Sequence, residues 1–178
     1  MSFAWRPPDV LRIVFRSTIL FLLFATLSWG TGRATEAKVG QAPPPFALTD
    51  EGGETHRLQD LTGRPVVLYF THNMCHYCTQ IIGYLKRAHG AYEARGLTIV
   101  TINVMAGDVR LIRRYKEQFS LPFPMLAGKD PQLLRDYEVN YVPIVVFIGR
   151  DGRIRRIYHH FILEQDFEAS VKEIVEGG

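Results

Sequence analysis

The chain is poor in cysteine, balanced in charge and short of long apolar runs, and each shortage excludes something. Only two cysteines occur in 178 residues, Cys75 and Cys78. A single Cys-x-x-Cys cannot supply a four-cysteine zinc site or a larger disulfide framework. From Lys38 onward, 17 basic residues stand against 16 acidic ones. So even a body gives nucleic-acid binding no electrostatic support, and no nucleic-acid partner is expected. The clusters Arg110, Arg113, Arg114 with Lys116, and Arg153, Arg155 with Arg156, read as the solvated faces of a helix and a strand. Repeats and low-complexity tracts are missing as well. Thr79 rather than histidine follows Cys78, which excludes c-type haem attachment.

The first 37 residues have a different character. Arg6, Arg12 and Arg16 precede an apolar run from Ser17 to Gly30, and small residues follow around Gly30 to Ala37. That is the layout of a secretory signal. The run of 14 residues falls short of the ~20 that span a bilayer. Cleavage is expected after Gly30, Ala34 or Ala37, with an uncleaved N-terminal membrane anchor as the alternative. No cysteine follows the run, so a lipid anchor through one is excluded. In either case residues 38–178 form a domain outside the cytoplasmic membrane, periplasmic or otherwise extracytoplasmic, soluble after cleavage or tethered to the inner membrane. Disulfides persist in that compartment, and a dithiol there needs a dedicated partner to keep it reduced or to use it as an oxidant.

Within 38–178 the periodicity alternates between strand and helix. Lys38 to Pro45 is an extended, proline-rich lead-in. Phe46–Thr49 and Glu54–Arg57 flank Asp50-Glu51-Gly52-Gly53, a hairpin signal. Leu58–Leu61 is a short helical turn stopped at Gly63, and Pro65–Phe70 is a buried strand. Thr79–Ala94 is a helix with Cys78, Ile81, Ile82, Leu85, Ala88 and Tyr92 on one face, ended by Gly96. Leu97–Val104 is a β-branched strand, and Asp108–Phe119 a helix with Asp108 as N-cap. Phe123–Leu126 is extended, Gln132–Tyr137 helical, and Ile144–Ile148 a strand. The turn Asp151-Gly152 leads to its hairpin partner Arg153–Tyr158, and Leu163–Val175 is a closing helix. Parallel strands with helical crossovers followed by an antiparallel hairpin predict an α/β domain with a mixed sheet and helices on both faces.

Strand, Cys-x-x-Cys turn, then helix is an arrangement that lowers a thiol pKa. It sets the first sulfur over a helix N-terminus, where unpaired N–H groups and the macrodipole favour the anion. The pair is a dithiol that cycles, a local staple, or half of a mixed-ligand metal site, and the context favours cycling. A staple closing so short a loop stabilises little. A cationic His76 between the cysteines would further stabilise a Cys75 thiolate.

These residues resemble thioredoxin, and more closely the exported thioredoxin-like reductases of the TlpA/ResA type in the AhpC/TSA redoxin superfamily, which serve cytochrome c maturation and related thiol reduction. The likeness is carried by Gly40-Gln41-Ala42-Pro43 with Phe46-x-Leu48; by Leu58-x-Asp60-Leu61-x-Gly63-Arg64-Pro65-Val66-Val67-Leu68; by Phe123-Pro124-Met125-Leu126; and by Asp136-Tyr137-x-Val139-x-x-Val142-Pro143-x-x-Val146-Phe147-Ile148 before Asp151-Gly152. It implies a three-layer α/β/α sandwich with an N-terminal β-hairpin extension. It also implies an enzyme, a protein thiol–disulfide oxidoreductase acting as a disulfide reductase. Cys75 would be the exposed nucleophile and Cys78 the resolving thiol. Pro143 would be the family's cis-proline beside the cysteines, and the backbone of Val142 would pair with an extended substrate segment. Tyr77 would be a packing and partner-contact residue. No cofactor beyond the redox-active disulfide is implied. The partners would be a membrane-bound protein dithiol as electron donor and a protein disulfide as substrate.

The chain departs from that pattern in three places. Met74 precedes Cys75 where the family usually has tryptophan. Tyr69 stands six residues before Cys75, at the place of thioredoxin's buried aspartate. Met105-Ala106-Gly107 follows the strand at 97–104, where some cytochrome-maturation members carry an acid. His72 stands three residues before Cys75 where thiol peroxidases have threonine. A second reading is a copper-binding or copper-delivery protein on the same scaffold, with Cys75, Cys78 and His72 as ligands and Met74 and His76 close by.

Overall fold

The computed structural model describes residues 36–177. The expected signal or anchor segment lies outside the described residues, apart from its last two positions. Among the described residues no helix is long and apolar enough to cross a membrane.

The domain is built on strand β3 (Val66–Thr71), whose six residues are all buried. Such an unbroken apolar run suits a central strand covered on both faces. Around it lie β4 (Thr98–Asn103), β5 (Met125–Ala127), β6 (Ile144–Ile148) and β7 (Ile154–Tyr158), in the order β5-β4-β3-β6-β7. β3, β4 and β5 run parallel, and β6 and β7 are antiparallel to their neighbours. The mixed sheet expected from the sequence is therefore present.

Side chains alternate across the pleat, and this divides the core in two. Val67 and Tyr69 face one layer, with Ile81, Ile82 and Leu85 of α1 (Cys78–Tyr92), Ile112 and Tyr115 of α2 (Val109–Phe119) and Phe167, Val171 and Ile174 of α4 (Glu164–Glu176). Val66, Leu68 and Phe70 face the other, with Leu133 of α3 (Pro131–Asp136), Tyr137, Leu48 and Leu58. Both faces are covered, giving the three-layer sandwich.

The helices start and stop within two residues of where the sequence signals them. Asp108 caps α2 by accepting from the N–H groups of Arg110 and Leu111. Helix α1 ends at Tyr92, short of the expected Ala94. The chain tightens into a 3₁₀ turn over Glu93–Arg95 before Gly96, whose φ of +90° stops it. β5 begins at Met125, two residues later than expected, because Phe123 is spent on core packing and Pro124 has no N–H for a ladder.

The N-terminal strands β1 (Ala47–Thr49) and β2 (Thr55–Arg57) make a separate antiparallel pair. One bridge, Asp50 to Leu126, joins this hairpin to the edge of the main sheet. Its turn is held from within: Asp50 Oδ1 accepts from the N–H groups of Gly52 and Glu54, each at 2.9 Å. The tip is fastened from outside. Glu51 pairs with Lys116, accepts from the N–H of Met125 at 3.1 Å, and its carbonyl takes two bonds from the Arg113 guanidinium.

Candidate functional site at the helix α1 N-terminus

β3 delivers the chain to the end of the sheet, and a turn then reverses it into α1. The N–H of Cys75 bonds the carbonyl of His72 at 3.3 Å, closing that turn with Asn73 and Met74 at its corner. Cys75 and Cys78 are joined as a disulfide, with Cα atoms 5.3 Å apart. Their surroundings differ. Cys75 is half-buried, whereas Cys78 is fully buried against Ile81 and Ile82.

The electrostatics at Cys75 favour negative charge. The N–H of Cys78 points at Cys75 Sγ from 3.2 Å. No side chain caps α1 and no acidic residue lies in its first turn, so nothing on the helix opposes the positive end of its dipole. The Val142–Pro143 peptide is cis, and the Val142 carbonyl oxygen lies 3.9 Å from Cys75 Sγ. The fold thus brings Cys75, Cys78, Val142 and Pro143 together.

The other residues singled out in the sequence are arranged around this centre. Met74 and Tyr77 are exposed, and His76 lies edge-on to Tyr77 with ring centroids 5.8 Å apart. His72 Nδ1 accepts from the N–H of Met74 at 3.1 Å. Tyr69 is fully buried, and its hydroxyl donates to the carbonyl of Cys78 at 3.0 Å. Burial pushes its ionisation well above the ordinary phenol value. A neutral donor therefore stands behind the buried cysteine.

Four residues near the disulfide were not picked out from the sequence. Phe161 packs on Tyr77 at 5.8 Å, and Tyr141 stacks flat on His160 at 5.7 Å, so the segment between β7 and α4 touches both loops that flank Cys75. Asn73 and Asn103 are hydrogen-bonded to each other. Asn103 left a visible signal, an amide inside an otherwise β-branched strand. Tyr141 and Phe161 left none, because only the fold brings Phe161 onto Tyr77 and Tyr141 onto His160.

Comparison with known proteins agrees with this geometry. The AhpC/TSA family model matches residues 39–157. The thiol-disulfide oxidoreductase ResA of Geobacillus kaustophilus is 30% identical over 169 residues, covering 92% of this chain and 96% of its own length. The ResA of Bacillus subtilis is 26% identical over 151 residues, covering 82% and 84%. Among solved structures, the thioredoxin domain of a thiol-disulfide oxidoreductase from Bacteroides vulgatus superimposes with a TM-score of 0.70 at 19% identity, covering 79% of this chain and 99% of that one. A secreted Mycobacterium tuberculosis disulfide oxidoreductase, homologous to DsbE of E. coli, gives 0.62 at 23% identity, covering 71% and 93%. These two share the fold. A strand–disulfide–helix centre, a family match over most of the domain and a ResA relative aligned along nearly the whole chain converge on one conclusion: the chain belongs to the AhpC/TSA family, as a thiol–disulfide oxidoreductase of the TlpA/ResA type.

Proposed function

We propose that the protein is an extracytoplasmic disulfide reductase that attacks client disulfides with Cys75 and resolves with Cys78. The observation that carries the roles is the unequal burial of the two sulfurs. In the reduced form the Cys75 thiolate attacks one sulfur of a client disulfide and expels the other as a thiolate, which takes up a proton. The Cys78 thiol then gives up its proton and attacks Cys75 Sγ. This forms the Cys75–Cys78 disulfide and releases the second client sulfur as a thiol. Two electrons pass to the client, and a protein dithiol restores the pair. Export rests on the N-terminal pattern of arginines, apolar run and small residues, and a membrane-bound donor follows from that location. The narrower reading, an apocytochrome c client, rests on the family resemblance alone.

The surface around Cys75 suits a protein client. Met74 and Tyr77 on the Cys75 loop and Tyr141 beside Val142 are more than half exposed, and Phe161 is 37% exposed beside Tyr77. Any mixed disulfide on Cys75 lays the residues flanking the client cysteine across this apolar rim. Val142, held beside Cys75 Sγ ahead of cis-Pro143, offers such a segment a backbone edge. Replacing Cys78 with alanine is expected to trap clients on Cys75 as mixed disulfides, read on non-reducing gels with the linkage mapped by mass spectrometry. Trapping through Cys78 in the Cys75→Ala variant instead would reverse the roles. A reduction potential near the thioredoxin value of about −270 mV supports the reductive direction, and one near about −120 mV overturns it.

A further inference from the structure

Asn103 ends β4 inside an apolar run, yet it is fully buried. A buried carboxamide costs free energy unless its donors and acceptor are met. Loops meet them here. Nδ2 donates to Oδ1 of Asn73 at 2.7 Å, and Oδ1 accepts from the N–H groups of Met105 and Ala106 at 3.1 and 3.2 Å. The Asn103 backbone carbonyl takes the N–H of Gly128 at 2.9 Å. That approach requires glycine, since a Cβ at position 128 would lie 2.3 Å from a methyl of Ile102.

Asn73 is the outer end of this chain of bonds. It sits at the corner of the turn from His72 to Cys75, two residues before the half-buried Cys75. We infer that Asn103 is a positioning residue for Cys75. Acting through Asn73, it holds the corner of the turn from inside the fold and keeps the sulfur over the α1 N-terminus, within reach of the Cys78 N–H. A thiolate is sensitive to that placement, because the field of a helix end decays within one turn. This inference rests on Cys75 being the attacking thiol.

The test is alkylation of the fully reduced chain by iodoacetamide across a range of pH, with the modified cysteine identified by mass spectrometry. Cys75 is expected to react first in the unaltered protein. Asn73→Ala removes the inward bond from the exposed side and opens no cavity in the core. It is expected to move the Cys75 profile to higher pH and slow alkylation at neutral pH by about threefold or more. Asn103→Ala should do the same, and the double variant should be no slower than the slower single one, since both remove the same Asn73–Asn103 bond. An unchanged profile for Asn73→Ala with only a lower Tm, or additive effects in the double variant, overturns the inference while leaving the role of Cys75 intact. First reaction at Cys78 in the unaltered protein would instead overturn the reading on which the inference rests. If Asn103→Ala fails to fold, the Asn73→Ala profile decides alone.

Discussion

The disulfide region and the N-terminal hairpin use their surfaces differently. At the disulfide a carboxamide is buried, while Met74, Tyr77 and Tyr141 are exposed. At the hairpin Leu48, Leu58 and the Asp50 carboxylate are buried, and Glu51, Lys116 and Arg113 form an ion pair and hydrogen bonds near the surface. Exposing large apolar side chains forgoes roughly 1.5–3 kcal/mol of burial for each one, so the disulfide region gives up stability, as the client docking proposed for it requires. The hairpin uses its polar groups to fasten itself to the edge of the main sheet, to which one bridge joins it among the described residues. The difference separates what the fold spends on contact from what it spends on cohesion.

Three changes would break or sharpen that contrast. The largest effect is expected at the hairpin. Glu51→Ala removes the partner of Lys116 and the acceptor for the Met125 N–H, both partly shielded from solvent, and should lower stability by about 2 kcal/mol in a urea melt. The rate of exchange with a small disulfide should not change, and a slower rate would show that the two regions are coupled. Next comes Tyr77→Ala beside the disulfide. It should leave stability and small-disulfide exchange near their original values, yet raise KM for a protein disulfide about fivefold, the equivalent of one modest contact. Equal losses for small and large substrates would mean that the rim acts on the chemistry rather than on docking.

The smallest effect concerns acid. Burial by itself would raise the Asp50 carboxyl. The His56 ring 2.7 Å away and the N–H groups of Glu54 and Gly52 outweigh it, holding the pKa below the ordinary 3.8. A group depressed on folding stabilises the native state fully above its unfolded value, and that contribution is lost as pH falls through the lowered folded value. Asp50→Asn keeps an acceptor for the turn but removes the titration. Plots of Tm against pH should therefore fall less steeply on the acid side for this variant, below about pH 4. Parallel curves would show that Asp50 contributes nothing to the acid limb.

The legible part of the molecule follows from local rules. Gly96 at positive φ, Asp108 as a cap and the turn at Asp50–Gly53 each act within a few residues of themselves, so they could be read directly. The motif Cys75-His76-Tyr77-Cys78 was legible for the same reason, since strand, turn and helix are its immediate neighbours. Val142 and Pro143 were named only through the family resemblance, and nothing local to them points to a sulfur 67 positions earlier. Tyr69 was recognised as a departure from the family, but its bond to the Cys78 carbonyl depends on how α1 packs over β3.

What the sequence determined by itself is the alternation of strands and helices, the placing of the only two cysteines between a strand and a helix, and the side of the helix that faces the core. Period and spacing carry these through backbone geometry alone. The tertiary structure decided the rest: which sulfur is buried, which aromatic residues border it and which buried amide holds its turn. Asn73 meets Asn103 across 30 residues, Tyr77 meets Phe161 across 84, and Glu51 meets Lys116 across 65. Such contacts exist only once parallel crossovers have set the strand ends side by side, because no propensity acts over that distance along the chain.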